Sequence, residues 1–163
     1  MKNKTKIWGI RVIQFYTGMA FFIHGIQKMI GGWLIHPSIL SGMIQYSLKS
    51  PGIFSFYRSF LIRIVLPHSA IFSVLVSGGE AAVGLGLAVG VLPKFAALMG
   101  MFMMANYWMM HGAPIELLGL DQAYFFLFFA CLIGGEPWLF AKSQKIRPPE
   151  LKEEQDNLPA PLI

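Results

Sequence analysis

Four polar side chains lie inside long apolar runs of the sequence, where ionisable groups are costly and usually serve a function. They are His24 and Lys28 in the first run, Glu80 in the second and Asn106 in the third. A carboxylate and an imidazole can take up and release protons, whereas an ammonium and an amide can donate hydrogen bonds to a carbonyl oxygen or an anion. We therefore predict Glu80 and His24 as catalytic residues. Lys28, Asn106 and Trp33 are the predicted binding residues.

These residues also have a purely structural interpretation. On a helix, several polar and small residues of the first run share one stripe with His24, and such a stripe can serve hydrogen bonding between helices. Its members are Arg11, Gln14, Thr17, Gly18, His24, Gly25 and Lys28. Glu80 could likewise be a neutral acid in a structural hydrogen bond. Either way, the stripe should face the interior of a bundle.

The elements that must position these residues are membrane helices. Of the 163 residues, 55% are hydrophobic and 13% are charged, against about 25% charged residues in soluble domains. Four apolar runs are each near the length that crosses a bilayer as a helix, and they cover residues 7–30, 69–92, 95–112 and 117–133. The predicted fold is an all-α membrane protein, a four-transmembrane-helix bundle with short interfacial helices between the first and second spans.

The connection between the first two spans carries the interfacial helices. Residues 38–49 and 54–66 have apolar side chains at helical spacing but are too short to cross the membrane, so we predict that they lie in the interface or cap the bundle. Trp33, Tyr46 and Tyr57 are predicted at the level of the lipid headgroups, where aromatic residues concentrate.

We predict two regions in the chain. Residues 1–141 form the four-helix membrane domain, and residues 142–163 form a disordered cytoplasmic tail because they are polar and rich in proline.

The distribution of lysine and arginine predicts the topology. Four spans place one set of basic residues on a single side: Lys2, Lys4, Lys6, Arg11, Lys94, Lys142, Lys145, Arg147 and Lys152. The positive-inside rule then puts both termini in the cytoplasm and residues 31–68 outside. Because the basic residues cluster at the two ends rather than along one helix face, no nucleic-acid partner is expected.

In this topology the polar residues approach one another from the outer side. At about 1.5 Å per residue, His24 and Asn106 lie about 9 Å inside the outer ends of their helices, and Glu80 lies roughly 12–17 Å inside. Lys28 lies near the outer boundary. Apolar walls with a few converging polar groups are typical of small-molecule sites, so we expect one cavity, open to the outer face, that suits a quinone ring.

Small residues recur every four positions along the second span. They are Gly78, Ala82, Gly86 and Gly90. Such a stripe predicts that another helix approaches this face closely.

Short motifs around the same residues resemble the DoxX/DoxD family of four-span membrane proteins. The matching motifs are Gly25-Ile-Gln-Lys28, Gly31-Gly32-Trp33 and Gly79-Glu80-Ala-Ala-Val-Gly84, followed by Leu87 and Gly90. The resemblance implies a four-helix membrane fold and membership of redox complexes. DoxD-like members are subunits of thiosulfate:quinone oxidoreductase. Lys94 stands where arginine is more usual, and Gly134-Gly135-Glu136-Pro137 replaces the expected Gly-Arg ending, which puts a thiosulfate substrate in doubt.

The expected function is that of a membrane redox subunit, a quinone-linked oxidoreductase component of a bacterial inner or plasma membrane. It would bind quinone and act with a partner subunit in the lipid bilayer, and it could form a homo-oligomer. A non-catalytic membrane scaffold or assembly protein is the alternative, and a small transporter is the third.

Quinone is therefore the expected cofactor, and no metal site is predicted. Haem b is not favoured. His24 and His111 are the only candidate ligands within or at the ends of the spans, and His111 lies about 140° around its helix from Asn106, so the two histidines need not share a pocket. Cys131 is the single cysteine, so the chain has no dithiol pair for thiol redox chemistry.

Overall fold

The structure, a computed structural model, describes residues 2–112, 119–135 and 137. Within these residues it contains six α-helices and no strands. The helices are α1 (Lys2–Ile30), α2 (Ser38–Ser47), α3 (Ser55–Phe60), α4 (Ser69–Val89), α5 (Pro93–Met110) and α6 (Leu120–Gly134), with a π-helical turn, Leu61–Val65, directly after α3. The all-helical prediction is confirmed. The predicted tail, residues 142–163, lies outside the described residues.

The four long helices pack side by side in antiparallel order. Helix α1 contacts α4 and α6, and α5 contacts the same two helices. Phe21 of α1 packs edge-on against Phe128 of α6, with ring centroids 4.9 Å apart. Around this pair lies the core of the bundle, which includes Val83, Leu87, Ala97, Met104 and Cys131. The arrangement is that of an up-down-up-down bundle.

The closest approach in the bundle is between α1 and α4. A Cβ added to Gly18 or Gly25 of α1 would collide with the backbone of α4, and one added to Gly84 would collide with the backbone of Phe22. The residues of α4 that face α1 are Ser77, Ala81, Gly84 and Ala88. They recur at spacings of four, three and four, the pattern of helices that cross at about +20°.

The predicted packing stripe of α4 was therefore wrong. Gly78, Ala82 and Gly86 lie beside the contact with α1, and Ala82 is exposed. Helix α1 determines which face of α4 packs against it. Its two contact glycines, Gly18 and Gly25, are seven residues apart, which is a repeat of 3.5 residues per turn, whereas the predicted stripe of α4 repeats every four residues.

Two left-handed residues reverse the chain between α4 and α5. Gly90 closes α4 with φ of 74°, and Leu92 precedes α5 with φ of 48°. Pro93 then occupies the first turn of α5, where its missing N–H costs no hydrogen bond.

Residues 31–68 cover one end of the bundle. Helix α2, helix α3 and the π-helical turn bury a second apolar cluster that includes Ile44, Leu61 and Met110. Arg58 ties the segment together by donating to the carbonyl oxygens of Leu48 at 2.6 Å and Ser50 at 2.9 Å. We call this covering segment the cap.

The structure separates the three aromatic residues predicted at headgroup level. Trp33 and Tyr57 are buried in the cap, whereas Tyr46 is 78% exposed. The backbone of Trp33 is anchored to α4, because its carbonyl oxygen accepts a 2.6 Å hydrogen bond from the Ser73 hydroxyl.

Large apolar side chains cover the outside of the bundle. Exposed examples come from every long helix and include Phe15, Ile71, Leu85, Phe102 and Phe126. Soluble monomers rarely expose so much contiguous apolar surface.

One helix among the described residues, Ser69–Val89, is long and apolar enough to cross a membrane by length and composition, and Leu120–Gly134 is apolar but shorter. The four-span arrangement stays a prediction.

Candidate functional site

Three polar side chains from three helices meet at the end of the bundle beneath the cap. The ammonium of Lys28 donates to Glu80 Oε1 at 2.5 Å and to the hydroxyl oxygen of Tyr107 at 2.7 Å. Tyr107 in turn donates to the same Glu80 oxygen at 2.7 Å. Glu80 is 2% exposed and Lys28 is 22% exposed. A buried carboxylate is therefore paired with a cation that reaches toward the surface.

The position of Lys28 follows from how α1 ends. Lys28 lies in the last turn of α1, and its carbonyl oxygen accepts a 3.1 Å hydrogen bond from the backbone N–H of Trp33. The turn through Gly32, which has φ of 90°, brings the indole back over the site. The ammonium lies 5.0 Å from the Trp33 ring centroid and 4.8 Å from that of Tyr107. Two aromatic faces thus stabilise the same charge.

A cavity of about 410 Å³ opens beside this triad. Lys28, Glu80, Tyr107 and Trp33 line it together with His24. Its further lining residues are Phe21, Gln27, Met104, Leu120, Asp121 and Tyr124. The volume lies within the range of small-molecule sites. We call this space the polar cavity.

His24 lies on the rim of the polar cavity. Its side chain is exposed, and its ring packs edge-on against Tyr124 with centroids 6.3 Å apart. Its ring contacts Tyr124 rather than Glu80 or Lys28, so it faces the entrance rather than the triad.

The triad leaves two polar atoms that a ligand could satisfy. Glu80 Oε2 is buried and has no hydrogen-bond partner among the described residues, a costly state in a native protein. An ammonium carries three N–H donors, and the described contacts use two of those on Lys28. The described contacts thus leave one acceptor atom of Glu80 and one N–H of Lys28 unused.

The lining of the polar cavity holds one lysine, Lys28, and two carboxylates, Glu80 and Asp121. Lys28 offsets Glu80, and Asp121 Oδ2 is 2.8 Å from Nδ1 of His111. The site therefore presents an uncharged or weakly acidic lining to a ligand. It suits a neutral molecule with carbonyl or hydroxyl groups better than a multiply charged anion.

Asn106 does not share this cavity. Its amide nitrogen donates to the carbonyl oxygen of Phe102 at 2.7 Å, and Tyr57 donates to both its backbone oxygen at 3.0 Å and its side-chain oxygen at 3.3 Å. Burial raises the pKa of Tyr57 to about 12, so its hydroxyl remains a donor at neutral pH. Asn106 lies instead on a second cavity, on the other side of Tyr107.

The second cavity is an apolar groove between the cap and helices α4 and α5. Its volume is about 440 Å³. Most of its walls are aliphatic or sulfur-containing: Leu40, Ile44, Leu61, Val65, Leu75, Val76, Val83, Met43, Met99, Met103 and Met110. Trp33 and Tyr107 line both this groove and the polar cavity. We call it the apolar groove.

The structure thus brings Glu80, His24, Lys28 and Trp33 to one cavity and leaves Asn106 outside it. Tyr107 takes the place predicted for Asn106. The structure shows why: Gly100 and Met104 are buried toward the core, and Tyr107, seven residues after Gly100, lies on the same face of the helix. Gln27 and Asp121 were also missed, because helix ends and loop partners are not visible in apolar periodicity.

The chain matches the model of one protein family, described as DoxX, over residues 9–112 of the 163. This region contains most of α1, all of α2 to α5 and every residue of the triad. No curated protein and no solved structure matches the chain.

Proposed function

We propose that this chain, which belongs to the DoxX family of membrane proteins, is a quinone-binding subunit of a membrane redox complex. In this proposal all four long helices cross the membrane, both termini are cytoplasmic and the polar cavity opens outward. The observation that carries it is the pairing of an unsatisfied Glu80 oxygen with a remaining Lys28 donor in one cavity.

The two atoms suit both redox forms of the ligand. A quinone carbonyl oxygen accepts a hydrogen bond, and the third N–H of Lys28 would supply it. A quinol hydroxyl donates one, and Glu80 Oε2 would accept it. The Trp33 ring, beside the ammonium, provides an aromatic face against which a flat ring can stack.

Reduction of the quinone takes up two electrons and two protons and converts both carbonyls to hydroxyls. The electrons come from a partner subunit that carries a redox cofactor. One proton would come from the Lys28 ammonium, which is 22% exposed and would regain it from the aqueous side, while Glu80 and Tyr107 hold the ammonium in position. His24, at the exposed rim, delivers the second proton from the aqueous side.

A thiosulfate substrate is less well supported. Thiosulfate is a dianion, and the one lysine at the polar cavity is already paired with Glu80. Since Asp121 adds a second carboxylate to the lining, the field in the cavity opposes a doubly charged anion.

Ligand binding tests the proposal. We would purify the full chain in mild detergent, measure copurified isoprenoid quinone by mass spectrometry, and titrate a quinone without a tail while following tryptophan fluorescence. Wild type should bind both. Glu80→Gln and Lys28→Met should each lower the affinity at least about tenfold, a loss of roughly 1.4 kcal/mol.

Lys49→Met is the matched control, because Lys49 is exposed on the cap and lies away from both cavities. It should bind like wild type. Equal binding by wild type, Lys28→Met and Glu80→Gln would overturn the proposal and favour a scaffold that merely carries quinone in its lipid shell.

A further inference from the structure

The apolar groove and the polar cavity share two walls, the rings of Trp33 and Tyr107. The two spaces therefore adjoin with these rings between them, and a ligand that occupies both must pass between Trp33 and Tyr107. One is polar, and the other is almost wholly apolar. Together they have the division expected of a site for one amphipathic molecule with a small polar head and a long hydrocarbon chain.

We propose that the apolar groove binds the isoprenoid tail of the quinone whose ring occupies the polar cavity. This inference rests on the proposed function, since it takes the ring position from it. The groove would set the orientation of the ring, because a tail held there fixes which edge of the ring can face Lys28 and Glu80.

The charge of the polar cavity argues for a quinone over a phospholipid. A phospholipid with one chain in the groove would bring its phosphate to Glu80 and Asp121, where two carboxylates face one lysine. A quinone ring carries no charge and meets no such repulsion.

The rim of the groove provides lateral access from the bilayer. Met43, Leu75 and Phe102 line the groove and are 38%, 59% and 61% exposed. A tail can thus enter from the lipid side without passing through water. The cap side is formed partly by the π-helical turn Leu61–Val65, whose Leu61 and Val65 line the groove; such turns are frequent at functional sites.

Lipid chains are as apolar as the groove, so moving the tail from lipid into the groove gains binding free energy only through shape and packing. The gain in affinity should therefore be moderate, and a side chain that fills the groove should reduce it. Ala82 lines the groove and is exposed, so Ala82→Phe would fill part of the space without forcing the core apart.

The test titrates a quinone ring without a tail, and the same ring with one to four isoprene units, against the full chain in detergent. Wild type should bind the long-tailed quinone about tenfold more tightly than Ala82→Phe does, while both bind the tailless ring equally. Ala70→Phe is the matched control, because Ala70 is exposed on the same helix and does not line the groove. It should behave like wild type with every tail length.

The outcomes separate the two proposals. If the tailless ring fails to bind wild type, the proposed function is wrong and the tail site falls with it. If the ring binds but a longer tail raises the affinity of Ala82→Phe and of wild type equally, the groove inference alone is overturned.

A tail that carries a diazirine gives an independent measurement, also valid if Ala82→Phe folds poorly. Photolysis should label groove residues such as Met43, Leu75 and Met99. Labelling spread evenly over the outer faces of the bundle, for example at Val12 and Phe126, would show that the tail lies outside the groove and would contradict the inference.

Discussion

At the scale of single residues, the contact between Lys28 and Glu80 combines structure and chemistry. Glu80 is nearly fully buried, so removing Lys28 leaves a carboxylate in a medium that solvates it poorly. Removing both charges leaves no such penalty. Buried pairs often behave in this way: loss of one partner is costly, whereas loss of both is tolerated.

We expect Lys28→Met to lower the free energy of unfolding by about 2 kcal/mol, below the ~3–5 kcal/mol of fully buried pairs, because Lys28 is partly exposed. The double variant Lys28→Met/Glu80→Gln should recover at least half of that loss. Thermal unfolding in detergent measures both. Additive losses in the double variant would show that the two residues are not coupled.

Tyr107 holds the Lys28 ammonium in place from a second direction. Tyr107→Phe keeps the ring beside the ammonium but removes the hydroxyl that bonds to Lys28 and Glu80. The tailless quinone should bind about fivefold more weakly, the value of one hydrogen bond near 1 kcal/mol. The titration described above measures this.

Tyr46→Phe is the control for that experiment, since Tyr46 is exposed on the cap. An unchanged affinity in Tyr107→Phe would mean that Tyr107 serves only to pack between the two cavities.

Residue types indicated the polar site well, because a charge in an apolar run needs a partner and the chain offers few. Glu80, Lys28, His24 and Trp33 were all placed together by that reasoning. Neighbouring residues on a helix point about 100° apart, however, and Asn106 was chosen over Tyr107 on polarity alone. Only the packing of Gly100 and Met104 against the core shows which of the two faces the site.

At the scale of helices, the contact between α1 and α4 depends on side chains that are absent. Gly84 faces the backbone of Phe22 so closely that no Cβ fits. Gly84→Ala must push the helices apart, which also moves Lys28 relative to Glu80. Gly9 is the natural comparison, because an added Cβ there meets nothing within 4 Å.

We expect Gly84→Ala to destabilise the fold by about 1–3 kcal/mol through overpacking, and Gly9→Ala to be neutral or slightly stabilising. The midpoint of thermal unfolding distinguishes them. Equal midpoints would contradict the close approach of the two helices.

Arg58 makes the cap a single unit. Its guanidinium reaches two carbonyl oxygens, those of Leu48 and Ser50, with two nitrogens, a geometry that lysine cannot reproduce. Arg58→Lys should therefore loosen residues 48–50, whereas Arg63→Lys, at an exposed position, should not. Hydrogen exchange should show faster exchange of this segment in the first variant only. Unchanged exchange would mean that apolar packing alone holds the cap.

The predicted helix positions agreed with the structure to within a few residues, because apolar run length and the prolines at their ends determine them. The prediction of which face of α4 packs was wrong because the α4 sequence contains two stripes of small residues. Which stripe is used depends on the shape of α1. The sequence left open whether residues 38–66 lie in the membrane interface or cap the bundle. The structure shows them on the end of the bundle, where Trp33 and Tyr57 are buried.

At the scale of the whole molecule, the apolar coat and the positions of the basic residues imply an orientation that can be measured. In a Cys131→Ser background, which removes the single cysteine, we would introduce Gln45→Cys in the cap or Phe95→Cys at the start of α5. Both positions are exposed. A membrane-impermeant maleimide should label Cys at position 45 in intact cells and at position 95 only after permeabilisation.

The same labelling pattern at both positions would contradict the four-span topology. A reversed pattern would keep four spans but place the polar cavity on the cytoplasmic side, where quinone chemistry would draw its protons from the cell interior.

The Lys28–Glu80 pair also has a consequence for biogenesis. Lys28 emerges from the ribosome 52 positions before Glu80, so under the proposed four-span topology α1 would be inserted before the nascent α4 reaches the membrane. An isolated helix with a carboxylate deep in hydrocarbon inserts poorly. We therefore expect α1 to act as the counter-ion donor during translation, and α4 to leave the insertion machinery only after it has paired with α1.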